Sequence, residues 1–563
     1  MKKARLLAVV TSSAALSLGL AAGPASPANA AASPHHGGIL HVVMPWVNIP
    51  DNFNPLNPGT NGSTAGGTGS ALYEPLMYDN VVTGKYTPVL ATGYTWSDGG
   101  KALTIDVRQG VRWSDGKPLT AADVAFTFNY LKKYPALDLQ GDWKTPLTSV
   151  KATSTGTVVL TYSKPDTVVL PFIMGQLIVP EHIWKNVKDP TTFTNLHPVG
   201  SGPFLLKSWS TTEVAYTRNP NYWMAGRPYI NGITMTAVKS NETAQLLLLN
   251  GQAAYTYDAI TDPVHTYVAA HPAWNKFWWP VTGLNMLYMN TQTGPFADVT
   301  LRKAIAMTVN DNVVAQRAYY GAIPASGGIG QTAVVPGQQD RWVPKAVASL
   351  APATDPSAAL KLLESKGYKL SGGSLVAPNG QALPTFKILV GSGWTDFISI
   401  AQTVGQELQA IGIHSTIDQE PWSTYYGSAQ NGQYDLLVCW TNGNNATPYY
   451  EYYYLLSSAE SAKPGASVNT NYERFSNPYV DGLLSNFAST TRFAQQKADM
   501  VAVEKTVLNQ VPAIPLTGRP NFFDYSTRYF TGWPSASDPY NAGEAPDAFN
   551  GGAEQLYLNV HLK

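Results

Sequence analysis

From Leu72 to Leu131 the chain alternates short runs of apolar and polar residues, then changes to a helical pattern. Leu103-Thr-Ile-Asp-Val-Arg108 puts every second residue on an apolar face, the period of a half-buried strand. Ser97-Asp-Gly-Gly100 and Ser114-Asp-Gly116 flank it as turns, since Asp hydrogen-bonds its own backbone and Gly accepts positive φ. Thr120 then reads as a helix N-cap, with Asp123 as its capping-box partner. Val124, Phe128 and Leu131 fall on one face of that helix. Ile39 to Met44 reads as the first strand. Thr243 to Gly251 reads as a helix stopped by Gly251. Asp355 caps a helix that Pro356 opens and Gly367 closes. Phe386 to Val390, Asp396 to Ala410 and Ile413 to Gln419 follow as strand, helix and strand. Ile400, Val404, Leu408 and Ile411 form the helix's apolar stripe, and Gly412 is its stop. Strands alternating with helices predict α/β layers with parallel pairing. No repeat at solenoid spacing occurs.

The first residues change the picture. Lys2, Lys3 and Arg5 precede a small apolar core from Leu6 to Ala22, and Ala28-Asn29-Ala30 offers a cleavage site. Residues 1–30 therefore read as a Sec signal peptide, and 31–36 as a disordered lead. The apolar run contains four hydroxyl residues and breaks at Gly23-Pro24, short of the roughly 20 residues a membrane span needs. No Cys follows it for lipid attachment, so the expected place is a periplasm or cell-wall space without a lipid anchor. Formal net charge is zero and 13% of residues are charged, which argues against nucleic acid or anionic membrane as a partner. Cys439 is the single cysteine, so no intrachain disulfide or cysteine metal cluster forms. It lies in the apolar run Tyr434 to Trp440 and reads as a buried structural thiol. His35-His36 lacks a third ligand at suitable spacing, so no metal site is expected. There is no G-x-S-x-G, H-E-x-x-H or Walker loop, and no local pattern marks Glu420 and Asp435 as the paired carboxylates of a hydrolase.

Several blocks carry a resemblance. They are Leu72-Tyr-Glu-Pro-Leu76, then Arg108-Gln-Gly-Val-Arg-Trp-Ser-Asp-Gly116 with Leu119-Thr-Ala-Ala-Asp-Val124. Val199-Gly-Ser-Gly-Pro-Phe204, Arg218-Asn-Pro-Asn-Tyr-Trp223, Pro295-Phe-Ala-Asp298, Leu301-Arg-Lys-Ala304 and Val511-Pro-Ala-Ile-Pro515 follow in order. Together they resemble the family-5 extracellular solute-binding proteins of ABC importers, which include oligopeptide-, dipeptide-, nickel- and cello-oligosaccharide-binding receptors. The resemblance implies an α/β, two-lobed periplasmic-binding-protein (Venus-flytrap) fold with an extra subdomain on the first lobe. Lobe one would comprise residues 37–72, 195–285 and 514–563, the inserted subdomain 73–194, and lobe two 286–513. The crossings near 285 and 513 would form the hinge. It further implies a monomer that binds a small-molecule ligand, partners ABC permease membrane subunits, and uses no cofactor, metal or catalytic residue.

The ligand would lie between the lobes. Peptide-binding relatives carry W-x-x-D, whose Asp meets the ligand's ammonium, whereas here Trp440 is followed by Thr441, Asn442, Gly443, Asn444 and Asn445, with no carboxylate before Glu451. An ammonium buried without a counter-charge costs several kcal/mol. Amides beside aromatic faces suit sugar hydroxyls and pyranose rings. The candidate ligand-binding residues are Trp440, Asn442, Asn444, Asn445, Tyr449, Tyr450, Trp422, Trp394, Trp46 and Asn54. The competing expectation for Tyr449 to Tyr454 is a packed helix start. Three functions stay open at this point: an oligosaccharide receptor, a peptide receptor of the same family, and a secreted polysaccharide hydrolase. A structural wall protein or adhesin is a further class.

Overall fold

The computed structural model describes residues 34–44, 49–57, 68–323, 332–441, 443, 445–545 and 551–563. The signal peptide expected over 1–30 lies outside the described residues. The helix starts form where the side chains allow. Thr120 Oγ1 accepts from the Ala122 N–H at 3.2 Å, and Asp123 Oδ2 accepts from the Thr120 N–H at 2.9 Å, opening helix Ala121–Lys133. Asp355 Oδ1 caps helix Pro356–Glu364 through the Ala358 N–H at 2.9 Å. Gly251, Gly367 and Gly412 take the positive φ their stops require.

Two main sheets result. The first has seven strands, ordered Asn275–Trp278, Phe523–Ser526, Tyr255–Tyr257, Ile39–Met44, Gly232–Ala237, Glu213–Arg218 and Phe204–Trp209. Ile39–Met44 pairs in parallel with both neighbours. The second has five, ordered Ser415–Glu420, Phe386–Gly391, Leu436–Trp440, Val281–Met289 and Ala513–Pro520. Helices Val299–Thr308, Pro356–Glu364 and Thr395–Leu408 pack a core on one face of it, and helices Trp422–Asn431, Tyr449–Leu456, Pro478–Ala488 and Phe493–Gln510 one on the other. A separate four-stranded antiparallel sheet, Ala91–Ser97, Ala102–Val107, Thr157–Tyr162 and Leu147–Ser154, packs with helix Ala121–Lys133 around its own core.

The crossings expected near 285 and 513 lie a few residues from those positions, which fall within strands of the five-stranded sheet, because Val281 already pairs with Pro520 and Leu284 with Gly518. The chain passes between the two sheets at Trp279–Pro280 and at Asn521–Phe522, side by side. There the Asn521 N–H donates to Pro280 O at 2.9 Å, and Tyr257 and Thr282 hydroxyls both donate to Asn521 Oδ1, at 3.0 and 3.1 Å. Of the disordered lead expected over 31–36, residues 31–33 lie outside the described residues, while His35 and His36 are held: the His35 ring lies 3.0 Å from Lys563 O, and His36 packs edge-on against Tyr229.

The family-like blocks meet in the first lobe. Glu74 is fully buried and accepts at Oε1 from the Tyr222 hydroxyl at 2.7 Å and the Trp223 indole N–H at 2.8 Å. Tyr222 also donates to Glu554 Oε1 at 3.3 Å. The Gly200-Ser-Gly202 reversal is laid on the chain just ahead, with the Gly202 N–H donating to Leu72 O at 2.9 Å. A Cβ on Gly200 would overlap that same Leu72 carbonyl, and backbone cannot yield as a flexible side chain does. Gly200→Ala is expected to destabilise by at least about 3 kcal/mol. Urea titration of the folded signal checks this, and an unchanged midpoint would contradict the packing.

Many carboxyls sit in dry surroundings. Burial pushes Glu74, Asp79 and Glu451 up to about 7, Glu504 to about 8, and Asp166 and Asp258 to about 6. The folded state keeps these protons where the unfolded chain, titrating near 4, gives them up. Their contribution is therefore fully present below about pH 4 and is lost as pH rises through 6 to 8. Asp115 and Asp298, held below their ordinary range, change charge on the acid side of this window. The melting temperature is expected to be higher at pH 5 than at pH 8, and Glu74→Gln to flatten that slope. Calorimetry across the range decides it; a rise toward pH 8 would be the contrary result.

Candidate ligand cleft

Strand Phe386–Gly391 runs parallel to both Ser415–Glu420 and Leu436–Trp440, so all three end at one edge of the sheet. A side chain at or just after the end of each strand therefore emerges at the same edge, the usual place for ligands in parallel sheets. Trp394, Trp422 and Trp440 occupy these positions. Their ring centroids lie 5.7 Å (394–422), 5.8 Å (394–440) and 6.1 Å (422–440) apart, and the planes of Trp422 and Trp440 differ by only 6°. Tyr426 stacks on Trp422 at 5.0 Å, and the Arg519 guanidinium lies 5.0 Å from the Trp440 ring centre. Trp422 is 53% exposed.

Beside this cluster lies a cleft of about 540 Å³. Trp394, Asp396, Phe397, Trp440 and Arg519 line one wall; Asn241, Tyr257, Asp258 and Phe522 line the other. The walls belong to the lobes of the five- and seven-stranded sheets respectively, and Phe522 of the second wall lies at one of the paired crossings. Asp396 sits in the first turn of helix Thr395–Leu408, where the Tyr319 hydroxyl donates to Oδ2 at 3.4 Å. Burial raises its carboxyl, against the pull of the Phe397 N–H, Tyr319 and Arg519. Tyr319 is itself fixed by Asn285, whose Nδ2 donates to its oxygen at 2.7 Å and to Thr517 Oγ1 at 3.0 Å. Asp258 accepts from Gln245 Nε2 at 2.9 Å, and burial pushes its carboxyl up to about 6. The arrangement offers flat aromatic faces and a few convergent polar groups, the make-up of a small-molecule site.

The structure brings Trp394, Trp422 and Trp440 together and places the other described candidates, Asn54, Asn445, Tyr449 and Tyr450, elsewhere. Trp46, Asn442 and Asn444 lie outside the described residues. Asn445 is half-buried, and its carbonyl accepts from Gln338 Nε2. Asn54 does not reach the cleft. It is fully buried in the first lobe, donating through Nδ2 to Pro190 O at 3.0 Å and Phe193 O at 2.9 Å, because its short amide closes a loop there. Tyr449 and Tyr450 are also corrected: both are core residues of helix Tyr449–Leu456. Tyr449 lies 5.3 Å from Phe487 and Tyr450 4.8 Å from Phe172 of the inserted segment, since large rings mainly serve as packing surface. Glu451 is buried beside Thr441 and Gly443, and burial favours its protonated form. Cys439 is buried, and its thiol is pushed up to about 11. Asp258, Asp396, Arg519, Tyr257 and Tyr319 escaped the sequence reading, because no local motif surrounds them.

Among the described residues no helix is long and apolar enough to cross a membrane, and no group of three or more His, Cys, Asp or Glu side chains is placed to hold a metal ion.

An α/β chain whose two sheets are joined by paired crossings and flank a cleft is a two-lobed ligand-binding protein. The chain belongs to the bacterial extracellular solute-binding proteins, family 5, whose middle-region model matches residues 85–463. It is similar to the glutathione-binding protein GsiB of Salmonella typhi, 28% identical over 340 residues, covering 57% of this chain and 61% of that protein. The match thus spans about three-fifths of that relative's length. The nickel-binding periplasmic protein of Escherichia coli (strain K12) is 26% identical over 434 residues, covering 73% of this chain and 78% of the relative. A periplasmic oligopeptide-binding protein of Thermotoga maritima superposes with a TM-score of 0.84 at 25% identity, covering 93% of this chain and 99% of that one. The mannohexaose-bound structure of the Thermotoga protein superposes with a TM-score of 0.76 at the same identity, covering 93% and 98%.

Proposed function

We propose that this protein is the exported, monomeric substrate receptor of an ABC importer. It captures a neutral oligosaccharide, cello-oligosaccharide-like in its linear run of pyranose rings. The two lobes close about the paired crossings, and the closed receptor presents its cargo to the membrane permease subunits. No bond is made or broken. The observation that carries the reading is the cluster of Trp394, Trp422 and Trp440, of which Trp394 and Trp440 line the cleft. Aromatic faces match the apolar faces of pyranose rings, and burying both gains free energy that a charged ligand would forfeit to desolvation. The mannohexaose bound by the Thermotoga relative supports a sugar in this architecture. Asp435, one hydrolase candidate, accepts from the Lys387 N–H at 2.9 Å, and neither it nor Glu420 lines the cleft.

A peptide ligand is the second reading. Asp258 and Asp396 line the cleft although the 440–445 turn has no carboxylate, so an ammonium would find a counter-charge from elsewhere in the chain. Thermal melting of the mature chain against cellohexaose, mannohexaose, xylohexaose, glutathione and short peptides separates the two. A shift with one sugar series alone supports the first. A shift with peptides alone overturns it, and release of a chromogenic aglycone from a glycoside would restore the hydrolase.

A further inference from the structure

Arg519 is the one cation lining the cleft among the described residues. It follows Gly518, where a Cβ would press into the Val281 side chain, so the strand lies close against its neighbour and aims residue 519 along the aromatic cluster. The guanidinium is half-buried on Trp440, yet among the described residues it makes no hydrogen bond and no ion pair. The five N–H donors of this cleft-lining side chain thus have no fixed acceptor among the described residues. Asp396 lies near enough to feel this charge but not in contact with it. A donor fork and an acceptor carboxylate are therefore held apart across one wall, beside the Trp394 and Trp440 faces.

We infer that Arg519 and Asp396 form a hydroxyl clamp that reads two neighbouring hydroxyl groups of the sugar ring lying on Trp440 and Trp394; this rests on the oligosaccharide reading above. One hydroxyl accepts from the Arg519 fork while the next donates to Asp396. The two residues need a ligand group that both donates and accepts, which a vicinal diol supplies and a carboxylate does not. An anion suited to Arg519 would be repelled by Asp396, and by Asp258 on the facing wall. Stacking alone accepts any flat apolar face, so the clamp is what tells a sugar from an aromatic compound and one epimer from another. A site built for a hydroxyl rejects a ligand lacking it, because its polar groups are then left unpaired.

The test uses Arg519→Met, which keeps the stem over Trp440 and removes the donors, together with Asp396→Ala and the double variant. Calorimetric titration with cellohexaose and mannohexaose measures affinity. Each single variant is expected to weaken binding of the preferred sugar about 10- to 100-fold. The double variant should lose less than the product of the two, since both act on one ring. As a measurement that does not depend on the variants, the wild type should discriminate by a similar factor against the same sugar lacking one hydroxyl of the clamped ring. Wild-type affinity for a sugar that both variants retain removes the clamp and leaves the receptor reading standing. No sugar binding by the wild type removes the receptor reading and the clamp with it. Selective binding of a carboxylate-bearing ligand, lost in Arg519→Met and improved in Asp396→Ala, overturns the clamp in favour of an anion site.

Discussion

Replacing Trp440 by Ala is expected to abolish the ligand-dependent rise in melting temperature while the empty protein still folds. Ligand at about 100 times its dissociation constant stabilises the wild type by roughly 2.7 kcal/mol, and the variant should show none of it. Trp440 is central because it touches Trp394, Trp422, Phe397 and Arg519 at once. It sits half-buried at the end of its strand, so its removal leaves no sealed cavity; the cost to the unliganded fold is expected near 2 kcal/mol, below the 3–5 of a fully buried ring. Tyr449→Phe is the contrasting variant. It keeps the core ring, lies away from the cleft, and should leave the ligand response unchanged. A full response from Trp440→Ala, measured by melting with and without sugar, would place the ligand elsewhere.

Replacing Arg302 by Met is expected to cost more stability than any surface change in this protein, about 3–5 kcal/mol. The residue is 3% exposed, and its guanidinium donates to four carbonyls: Val511 at 2.8 Å, Gln510 at 2.6 Å, Phe296 at 2.6 Å and Ala297 at 3.1 Å. It thereby ties the start of helix Val299–Thr308 to the segment re-entering strand Ala513–Pro520. Methionine fills the stem's volume but leaves those carbonyls without donors in a dry place. Lysine should recover less than half the loss, because one ammonium cannot span acceptors from two chain segments as a planar fork does. Denaturant midpoints of the three proteins test this; a Met variant within 1 kcal/mol of wild type, well under the cost of breaking a buried charged network, would mean that water replaces the bonds.

Local features were the ones the sequence disclosed. Caps at Thr120 and Asp355 and stops at Gly251 and Gly412 depend on neighbours within four residues, and periodicity exposes such neighbours directly. The three tryptophans were legible for a related reason: each ends or follows a strand, and parallel strands bring their ends to one edge. What stayed hidden depended on long-range assembly. Asp258 and Asp396 sit on opposite walls of the cleft, and nothing near either in the chain announces the other. Tyr222 and Trp223 read as packing surface, yet their polar atoms hold Glu74, about 150 positions away, a partnership no window of sequence displays. Tyr449 and Tyr450 misled because an aromatic run next to a loop looks alike whether it faces ligand or core; only the position of Phe487 and Phe172 decides.

The paired crossings also govern the order in which the molecule can assemble. Residues 281–520 form a continuous stretch whose two ends already lie side by side, so the five-stranded sheet can close as soon as that stretch is available. The seven-stranded sheet cannot. Its strand Phe523–Ser526 must slot between Tyr255–Tyr257 and Asn275–Trp278, and Leu562 bridges back to His35. The earliest-made half is thus the last to be completed, with apolar strand edges left waiting through the synthesis of more than two hundred residues. Contacts so distant along the chain slow folding and prolong exposure to aggregation. During biogenesis the first lobe needs shelter until its closing strand arrives, while the second can look after itself.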